Sequence, residues 1–181
     1  DASKSMQDFK HQVVDEPPMI NVRVESIGLN FRDVLNVLDM YPGDPGLPGS
    51  DYAGVVLSGA NEKGSSSFPP GTEIFGLAPG CLGTRVVASA LTAVQKPPSI
   101  SFADAAGCPT IFCTVFLAME MASPSTGSCH SVLVHAATGG VGLAACQILG
   151  LHGINVFATA GSARKRAMLR NMGISHVASS R

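Results

Sequence analysis

Apolar and polar residues alternate in short runs along the first hundred residues, and these runs predict β-strands. Residues Ile20–Glu25 show the period of two that is typical of a half-buried strand. Further strands are predicted at Tyr52–Leu57, Glu73–Leu77 and Arg85–Ala88. A short helix is predicted near Phe31–Leu38. Segments rich in Gly, Pro and Ser, such as the predicted exposed loop Ser65–Gly71, separate the runs. We therefore expect an irregular, mostly antiparallel β unit.

After Lys96 the pattern changes to a regular alternation of strands and helices. Helices are predicted at Phe102–Gly107 and Ile111–Met121, and Pro109 separates them. The following elements are predicted to be a strand at Ser131–Ala136, a helix at Gly139–His152, a strand at Ile154–Ala160, a helix at Ser162–Met172 and a strand starting at His176. This alternation is typical of βαβ units and a parallel sheet. We predict an α/β chain with domains at residues 1–100 and 101–181, divided near Ser99–Ala105.

Composition narrows the classes of function. Of the 181 residues, 45% are hydrophobic and 14% charged, which is enough apolar material for a buried core. The formal charge of −1 gives no basic surface for nucleic acid or an anionic membrane, and no apolar run could span a bilayer. The five cysteines form no C-x-x-C pair, which argues against a disulfide scaffold and a structural zinc site. We expect a reducing, cytoplasmic compartment.

The most informative segment is the glycine-containing turn in Val132–Gly142. Ala137, Gly139 and Gly142 occupy the three small positions of a G-x-G-x-x-G pattern, with alanine in the first. The first small residue permits a tight turn, the second lets the backbone approach a diphosphate, and the third lets the helix pack on the strand. The amides at the start of the helix then face the phosphates. The alternative is a tight turn that binds no ligand.

The end of the second strand indicates which dinucleotide would bind. It lacks the Asp or Glu that would bind the 2′-hydroxyl of NAD. Ser162, Arg164, Lys165 and Arg166 follow instead, offering a hydroxyl and three cations to a 2′-phosphate. This favours NADPH. The alternative is an N-capping serine followed by a solvated basic helix face.

Six ordered segments carry a resemblance to a known family. They are Gly28–Leu35, Met40–Gly43, Gly49–Val56, Gly80–Thr84, His135–Ala145 and His176–Arg181. Together they resemble the enoyl reductase domains of modular polyketide synthases and animal fatty acid synthases. These domains belong to the medium-chain dehydrogenase/reductase superfamily and are related to quinone oxidoreductases. The resemblance runs from about Ile20 to the last residue.

The resemblance implies a fold, a reaction and partners. The fold is a GroES-like β domain followed by a Rossmann domain, here only in part. The reaction is NADPH-dependent reduction of a trans-2-enoyl thioester to the saturated acyl thioester. The substrate is carried on an acyl carrier protein, the partners are other domains of a megasynthase, and a homodimer is allowed. Zinc-dependent relatives place a cysteine where Asn30 stands and a His-Glu pair where Ser50 and Asp51 stand. We therefore expect no metal.

The resemblance also implies roles for individual residues, each with an alternative. Tyr41 stands where the family has a proposed proton donor, although a loop aromatic covering the cleft would look the same. Lys165 stands where the family has an alternative acid or enolate-stabilising lysine. Arg164 or Lys165 could instead bind the 2′-phosphate. The family's partner aspartate would follow Arg181. Arg32 and Asp33 are expected to form a local charge pair.

The remaining candidates are assigned to the cofactor. Asn30 and Thr114 are expected beside the nicotinamide, the alternatives being a turn residue and a hydroxyl bonded to its own helix. His135 is expected to be a satisfied histidine in a buried strand. The predicted nucleotide-binding residues of the turn and the second strand are Ala137, Thr138, Gly139, Gly140, Val141, Gly142, Thr159, Gly161, Ser162, Arg164 and Lys165.

Two alternatives to an enoyl reductase stay open. One is a free-standing NADPH quinone oxidoreductase, and the other is an inactive reductase-like fragment with a structural or docking role in a megasynthase. The family's later strands are not in this sequence, so we expect the segment to be a piece of a longer chain. We also expect it to be poorly stable or inactive unless the remainder is supplied.

Overall fold

A computed structural model describes residues 17–59, 68–122 and 130–181. Part of the predicted loop Ser65–Gly71 and Cys129 lie outside these ranges. Contacts between Cα atoms divide the chain into two compact units, Asp1–Ala106 and Gly107–Arg181. The division falls directly after the predicted range Ser99–Ala105.

The first unit is built on one antiparallel sheet. Its strands are β1 Met19–Gly28, β2 Asp51–Gly59, β3 Glu73–Leu77, β4 Arg85–Ser89 and β5 Ala93–Gln95, in the spatial order β4-β1-β2-β3-β5. Its helices are α1 Phe31–Val37 and α2 Phe102–Ala106, and a single 3₁₀ turn, Ala90–Thr92, precedes β5. The four strands and both helices predicted in this unit are confirmed. The sequence analysis missed β5, because three residues are too few to show a period of two.

Alternate residues of the strands form the core of the first unit. Ile20 and Val22 of β1 are fully buried, as are Tyr52 of β2 and Ile74 of β3. These alternate positions carry the larger core of the unit, as the period of two predicts, while Ala53 of β2 packs with Ala105 and Ala106 in a second cluster.

A buried lysine joins the last strand of this sheet to the helix that follows. The Lys96 ammonium lies 3.0 Å from the Glu73 carboxylate and donates to the carbonyl of Ile100 at 2.8 Å. It also lies 5.1 Å from the ring centroid of Phe102, the first residue of α2. A buried cation needs partners on several sides. Because the partners of Lys96 lie on β3 and at the start of α2, Lys96 holds α2 against the sheet.

The second unit contains a parallel sheet in the order β6-β7-β8. Its elements are α3 Pro109–Ala122, β6 Ser131–Val134, α4 Gly140–Leu151, β7 Asn155–Ala160, α5 Ala163–Asn171 and β8 His176–Ser179. The predicted α/β class, with an antiparallel sheet followed by a parallel sheet, is confirmed. No helix in the described ranges combines the length and apolarity needed to cross a membrane.

The end of β6 differs from the prediction. The strand was expected to continue to Ala136 and to bury His135, but it ends at Val134 and His135 is exposed. Ala136 has a φ of 50°, a left-handed conformation that an extended strand cannot contain. The expectation of a buried strand histidine is therefore wrong, because the turn begins two residues earlier.

The buried thiol of Cys81 and the buried phenol of Tyr52 make the stability of the first unit sensitive to alkaline pH. Burial, and after it the carboxylates of Asp51 and Asp33, raise the pKa of the Cys81 thiol from 9.0 to about 11. Burial also raises the pKa of Tyr52 to about 12. Below pH 9.0 the thiol is protonated in both the folded and unfolded states. Between the unfolded and folded pKa values, only the unfolded thiol ionises, so the folded state loses stability as the pH rises.

We therefore predict that the free energy of unfolding falls between pH 9 and pH 11, and that Cys81→Ala reduces this slope. Urea unfolding followed by circular dichroism at several pH values measures it. Cys113→Ala, which removes an exposed thiol, is the matched control and should keep the wild-type slope. An unchanged slope in Cys81→Ala would contradict the assignment.

Candidate functional site

The turn between β6 and α4 is held by main-chain hydrogen bonds. The Gly139 amide donates to the Ala136 carbonyl at 2.9 Å, and the Leu143 amide donates to the Gly139 carbonyl at 2.8 Å. The Ala137 amide donates to the Thr159 carbonyl at 3.0 Å, which fastens the turn to β7. These bonds therefore hold the turn in one defined conformation. The turn leads directly into the N-terminus of α4.

Gly142 lets α4 approach the turn closely. A β-carbon at this position would lie 2.6 Å from the Cα of Ala137 and 2.7 Å from the carbonyl oxygen of Ala136. Both atoms belong to the backbone, so neither can rotate aside. Only glycine fits, which is the packing reason that the spacing of the motif predicts.

Gly139 is different, because the protein itself does not require a glycine there. Its φ of −79° and ψ of 168° are open to any residue. A β-carbon would meet only the Ala136 carbonyl oxygen, at an ordinary 3.4 Å. Gly139 is exposed, so a side chain would project into the open space before the helix. The first amides of a helix have no partner within it, and Gly139 and Gly140 at the start of α4 are both exposed.

A cavity of about 330 Å³ lies at this turn. Its lining consists mainly of backbone and small side chains, from Val134, His135, Ala136, Gly139, Gly140, Val141, Gly142 and Ala145. Thr138, the residue before Gly139, is half-buried, and Val141 is 42% exposed. Of the predicted turn residues, the lining includes the four from Gly139 to Gly142.

Thr159 lies behind the turn. It is buried, its hydroxyl accepts from the Ala136 amide at 3.3 Å, and it lies 3.2 Å from Nδ1 of His135. These contacts make Thr159 a support of the turn. Since β6 and β7 are parallel, with Val134 opposite Ala158, the turn and the residues after β7 share one edge of the sheet.

The three cations after β7 have different surroundings. Arg166 donates to the carbonyls of Ala160 and Gly161 at 3.1 Å and 3.3 Å, so its guanidinium fixes the end of the strand. Arg164 and Lys165 are exposed, and within the described ranges neither side chain makes a hydrogen bond or ion pair. These two cations are therefore available to an anion.

Ser162 and Gly161 lie at the start of α5. The Ser162 hydroxyl accepts from the Lys165 amide at 3.3 Å, which is the N-capping role given above as an alternative. A β-carbon on Gly161 would lie 3.5 Å from Nε of Arg181, so this arginine reaches the same edge. Sequence reasoning did not assign Arg181 to the site. The parallel pairing of β7 with β8 is the signal that could have found it.

In the first unit, a hydrogen-bond chain occupies the positions compared above with zinc ligands. The side-chain amide of Asn30 (Nδ2) donates to the Ser50 hydroxyl at 3.2 Å, and that hydroxyl donates to the Asp51 carboxylate at 3.2 Å. Neither an amide nor a hydroxyl is a preferred zinc ligand. Among the described residues, no group of three or more His, Cys, Asp or Glu side chains could hold a metal.

Asp33 and Arg32 do not form the predicted charge pair. Asp33 is buried, and its carboxylate accepts from the Asn30 amide at 2.8 Å and from the Gly49 amide at 2.9 Å. Arg32 instead lies over the ring of Tyr41, 5.6 Å from its centroid. The prediction was wrong because the buried carboxylate caps the helix and binds the end of the connection to β2 at Gly49, while the guanidinium contacts an earlier part of that connection at Tyr41.

Tyr41 and Thr114 are placed in separate units. Tyr41 is half-buried in the loop after α1, and its hydroxyl has no hydrogen-bond partner among the described residues. Thr114 lies on α3, where its hydroxyl donates to the Thr110 carbonyl at 2.6 Å. The Thr114 proton is therefore used within its own helix, although the oxygen can still accept a bond.

Comparison with known proteins relates this geometry to characterised relatives. The chain is 41% identical over 176 residues to the phthioceranic/hydroxyphthioceranic acid synthase of Mycobacterium tuberculosis (strain ATCC 25618 / H37Rv). It is 40% identical over 168 residues to the pikromycin polyketide synthase component PikAII of Streptomyces venezuelae. The chain is a homologue of a polyketide synthase segment. No family model matches the sequence.

Solved reductases share the fold of this polyketide synthase homologue. The CurK enoyl reductase superposes with a TM-score of 0.79 at 33% identity, over 94% of this chain and 55% of that one. The quinone oxidoreductase of Thermus thermophilus, solved also with NADPH, superposes with a TM-score of 0.72 at 31% identity, over 93% of this chain and 55% of that one. The two sheets are thus a GroES-like sheet and part of a Rossmann sheet.

The homologue spans only part of these relatives. The alignments cover 94% of the chain but 8% of the mycobacterial synthase, and 91% of the chain but 4% of PikAII. The chain also spans 55% of the CurK reductase.

We predict that Gly142→Ala and Gly139→Ala affect stability very differently. Gly142→Ala should lower the free energy of unfolding by about 2–3 kcal/mol, because the new methyl overlaps backbone atoms. Gly139→Ala should cost about 1 kcal/mol or less, the loss expected for alanine at an N-cap. Urea unfolding measures both. A Gly142→Ala variant as stable as the wild type would contradict the close packing of α4.

Proposed function

We propose that the chain contributes the GroES-like unit and the nucleotide-binding turn of an NADPH-dependent enoyl reductase of polyketide biosynthesis. The reaction is the reduction of a trans-2-enoyl thioester to the saturated acyl thioester. When bound, NADPH supplies the hydride for the β-carbon of the substrate. The remaining steps depend on this chain's own residues, which bind the cofactor, orient the substrate and deliver a proton to it.

The observation that carries this proposal is the environment of Gly139. Neither its backbone conformation nor its neighbours require glycine, and Gly139 lines the cavity at the start of α4, which a side chain there would narrow. A diphosphate is the ligand that fits several exposed amides at a helix N-terminus. The polyketide synthase homologues favour a reductase of enoyl thioesters over a quinone oxidoreductase.

The exposed cations after β7 support NADPH as the cofactor. Arg164 and Lys165 have free side chains at the edge of the sheet that also carries the turn. The strand end supplies no carboxylate that would repel a 2′-phosphate. We assign Arg164 to the 2′-phosphate, and give Lys165 either the same role or that of stabilising the enolate.

Tyr41 is the proposed proton donor to the α-carbon. Its half-buried ring and uncommitted hydroxyl suit a general acid, because such a group must reach the reacting atom. Asn30 is held by Asp33 and Ser50, and we assign it to the border of the nicotinamide site.

The proposed partners are an enoyl group carried on an acyl carrier protein, the other domains of a megasynthase, and a second copy as a homodimer. The match to a small part of two large polyketide synthases supports the second of these. We propose a cytoplasmic location, since Cys81, Cys113 and Cys146 carry free thiols that suit a reducing compartment.

The function is tested with the intact protein, a crotonyl thioester, a quinone and NADPH. Oxidation of NADPH followed at its absorbance band should accompany reduction of the thioester. Turnover of only the quinone would favour the oxidoreductase alternative. Failure to bind NADPH in a fluorescence titration would favour an inactive structural or docking segment.

We predict that Arg164→Ala raises the Kd for NADPH about tenfold and leaves the Kd for NADH unchanged, since it removes one charged contact to the 2′-phosphate. Arg85→Ala, which removes the same charge from an exposed position of β4, is the matched control. Lys165→Ala separates the two lysine roles, because a phosphate contact affects the NADPH Kd while an enolate contact affects kcat. An equal loss of NADH and NADPH affinity in Arg164→Ala would contradict the assignment.

A further inference from the structure

Arg32 makes two contacts to the loop that carries Tyr41. Its guanidinium carbon lies 5.6 Å from the centroid of the tyrosine ring. Its Nη2 also donates to the carbonyl of Pro45, at the far side of the same loop. A planar guanidinium can stack on a ring and donate in its own plane simultaneously, which a lysine ammonium cannot do. Arg32 therefore joins the ring to the loop backbone.

A second side chain of α1 supports the same loop. Asn36, one helical turn after Arg32, donates to the Gly46 carbonyl at 3.2 Å. The Gly46 amide in turn donates to the Asp44 carboxylate at 2.8 Å, and the Met40 amide donates to the Leu35 carbonyl at 2.8 Å. Both ends of the loop are thus attached to α1.

The helix that holds the loop is itself fixed. Asp33 accepts from the amides of Asn30 and Gly49, so the start of α1 and the start of the segment leading into β2 share one buried carboxylate. A β-carbon on Gly49 would lie 2.6 Å from the Leu82 amide nitrogen, so this segment packs tightly on the next loop. Arg32 therefore extends from a rigid base.

We propose that Arg32 is a positioning residue that sets the orientation of the Tyr41 phenol, and hence the face of the substrate that receives the proton. This inference rests on the proposed function of Tyr41. The phenol O–H bond breaks as the C–H bond forms at the α-carbon of the enolate, and the phenolate then regains a proton from water. The cation over the ring faces the negative charge that develops on the phenol during this transfer.

The first test measures the orientation of Tyr41 without turnover. The intact protein is labelled with 3-fluorotyrosine at residue 41 alone, and its ¹⁹F spectrum is recorded with and without Arg32→Ala. We expect the wild-type resonance to be displaced from that of the free amino acid, and the variant resonance to move toward it. Arg23→Ala, the same change at a side chain that pairs with Glu25 on β1, should have no effect. An unchanged resonance in Arg32→Ala overturns the inference.

The second test measures catalysis on an α-methyl enoyl thioester. Arg32→Ala should lower kcat about tenfold, because a misplaced proton donor slows the chemical step while the substrate still binds. It should also reduce the excess of one product configuration at the α-carbon. In a Tyr41→Phe background, adding Arg32→Ala should change kcat less than about twofold, since the group it positions is gone. Arg32→Met, which keeps the aliphatic part of the side chain, replaces Arg32→Ala if that variant does not fold.

The outcomes separate the inference from the proposed function. Equal effects of Arg32→Ala in the wild-type and Tyr41→Phe backgrounds overturn the inference alone. A Tyr41→Phe variant with wild-type rate and product configuration overturns the donor role of Tyr41, and the inference with it. A wild-type protein that binds NADPH and reduces no enoyl thioester overturns the proposed function itself.

Discussion

The close packing of α4 against the turn after β6 is the constraint on which the second unit depends. Gly142 lies against the backbone of Ala136 and Ala137 with no room for a side chain. This contact fixes the direction of the helix, while the amide of Ala137 and the hydroxyl of Thr159 fasten the turn to β7. The N-terminus of α4 therefore points to a defined place at the sheet edge. Gly139 lines the cavity at that place.

The first unit uses a buried carboxylate for a comparable purpose. Asp33 connects the start of α1 to Gly49, and from this base α1 holds the loop of Tyr41 through Arg32 and Asn36. The positions that resemble those of zinc ligands are filled by a hydrogen-bond chain from Asn30 through Ser50. Neither the side-chain amide of Asn30 nor the hydroxyl of Ser50 is a preferred zinc ligand.

The sequence predicted most elements because their periodicity is strong. The helix from Gly140 and the strands at β6, β7 and β8 follow from apolar runs and glycine spacing. It could not predict β5, which has three residues and depends on pairing with β3. It also did not place Arg32 against Tyr41, because the geometry of the loop after α1 brings that ring to the guanidinium. Arg181 was missed although the predicted β8 offered a signal, since pairing with β7 brings its side chain near Gly161. The end of β6 was missed because nothing in the sequence marks Ala136 as left-handed.

The central claim is that a dinucleotide diphosphate binds to the main-chain amides at the start of α4. Hydrogen–deuterium exchange of the intact protein, with and without saturating NADPH, measures those amides directly. The account predicts slower exchange across Gly139–Leu143 on binding, with no change in β4, Arg85–Ser89. Unchanged exchange across Gly139–Leu143 in the NADPH-saturated protein would contradict it.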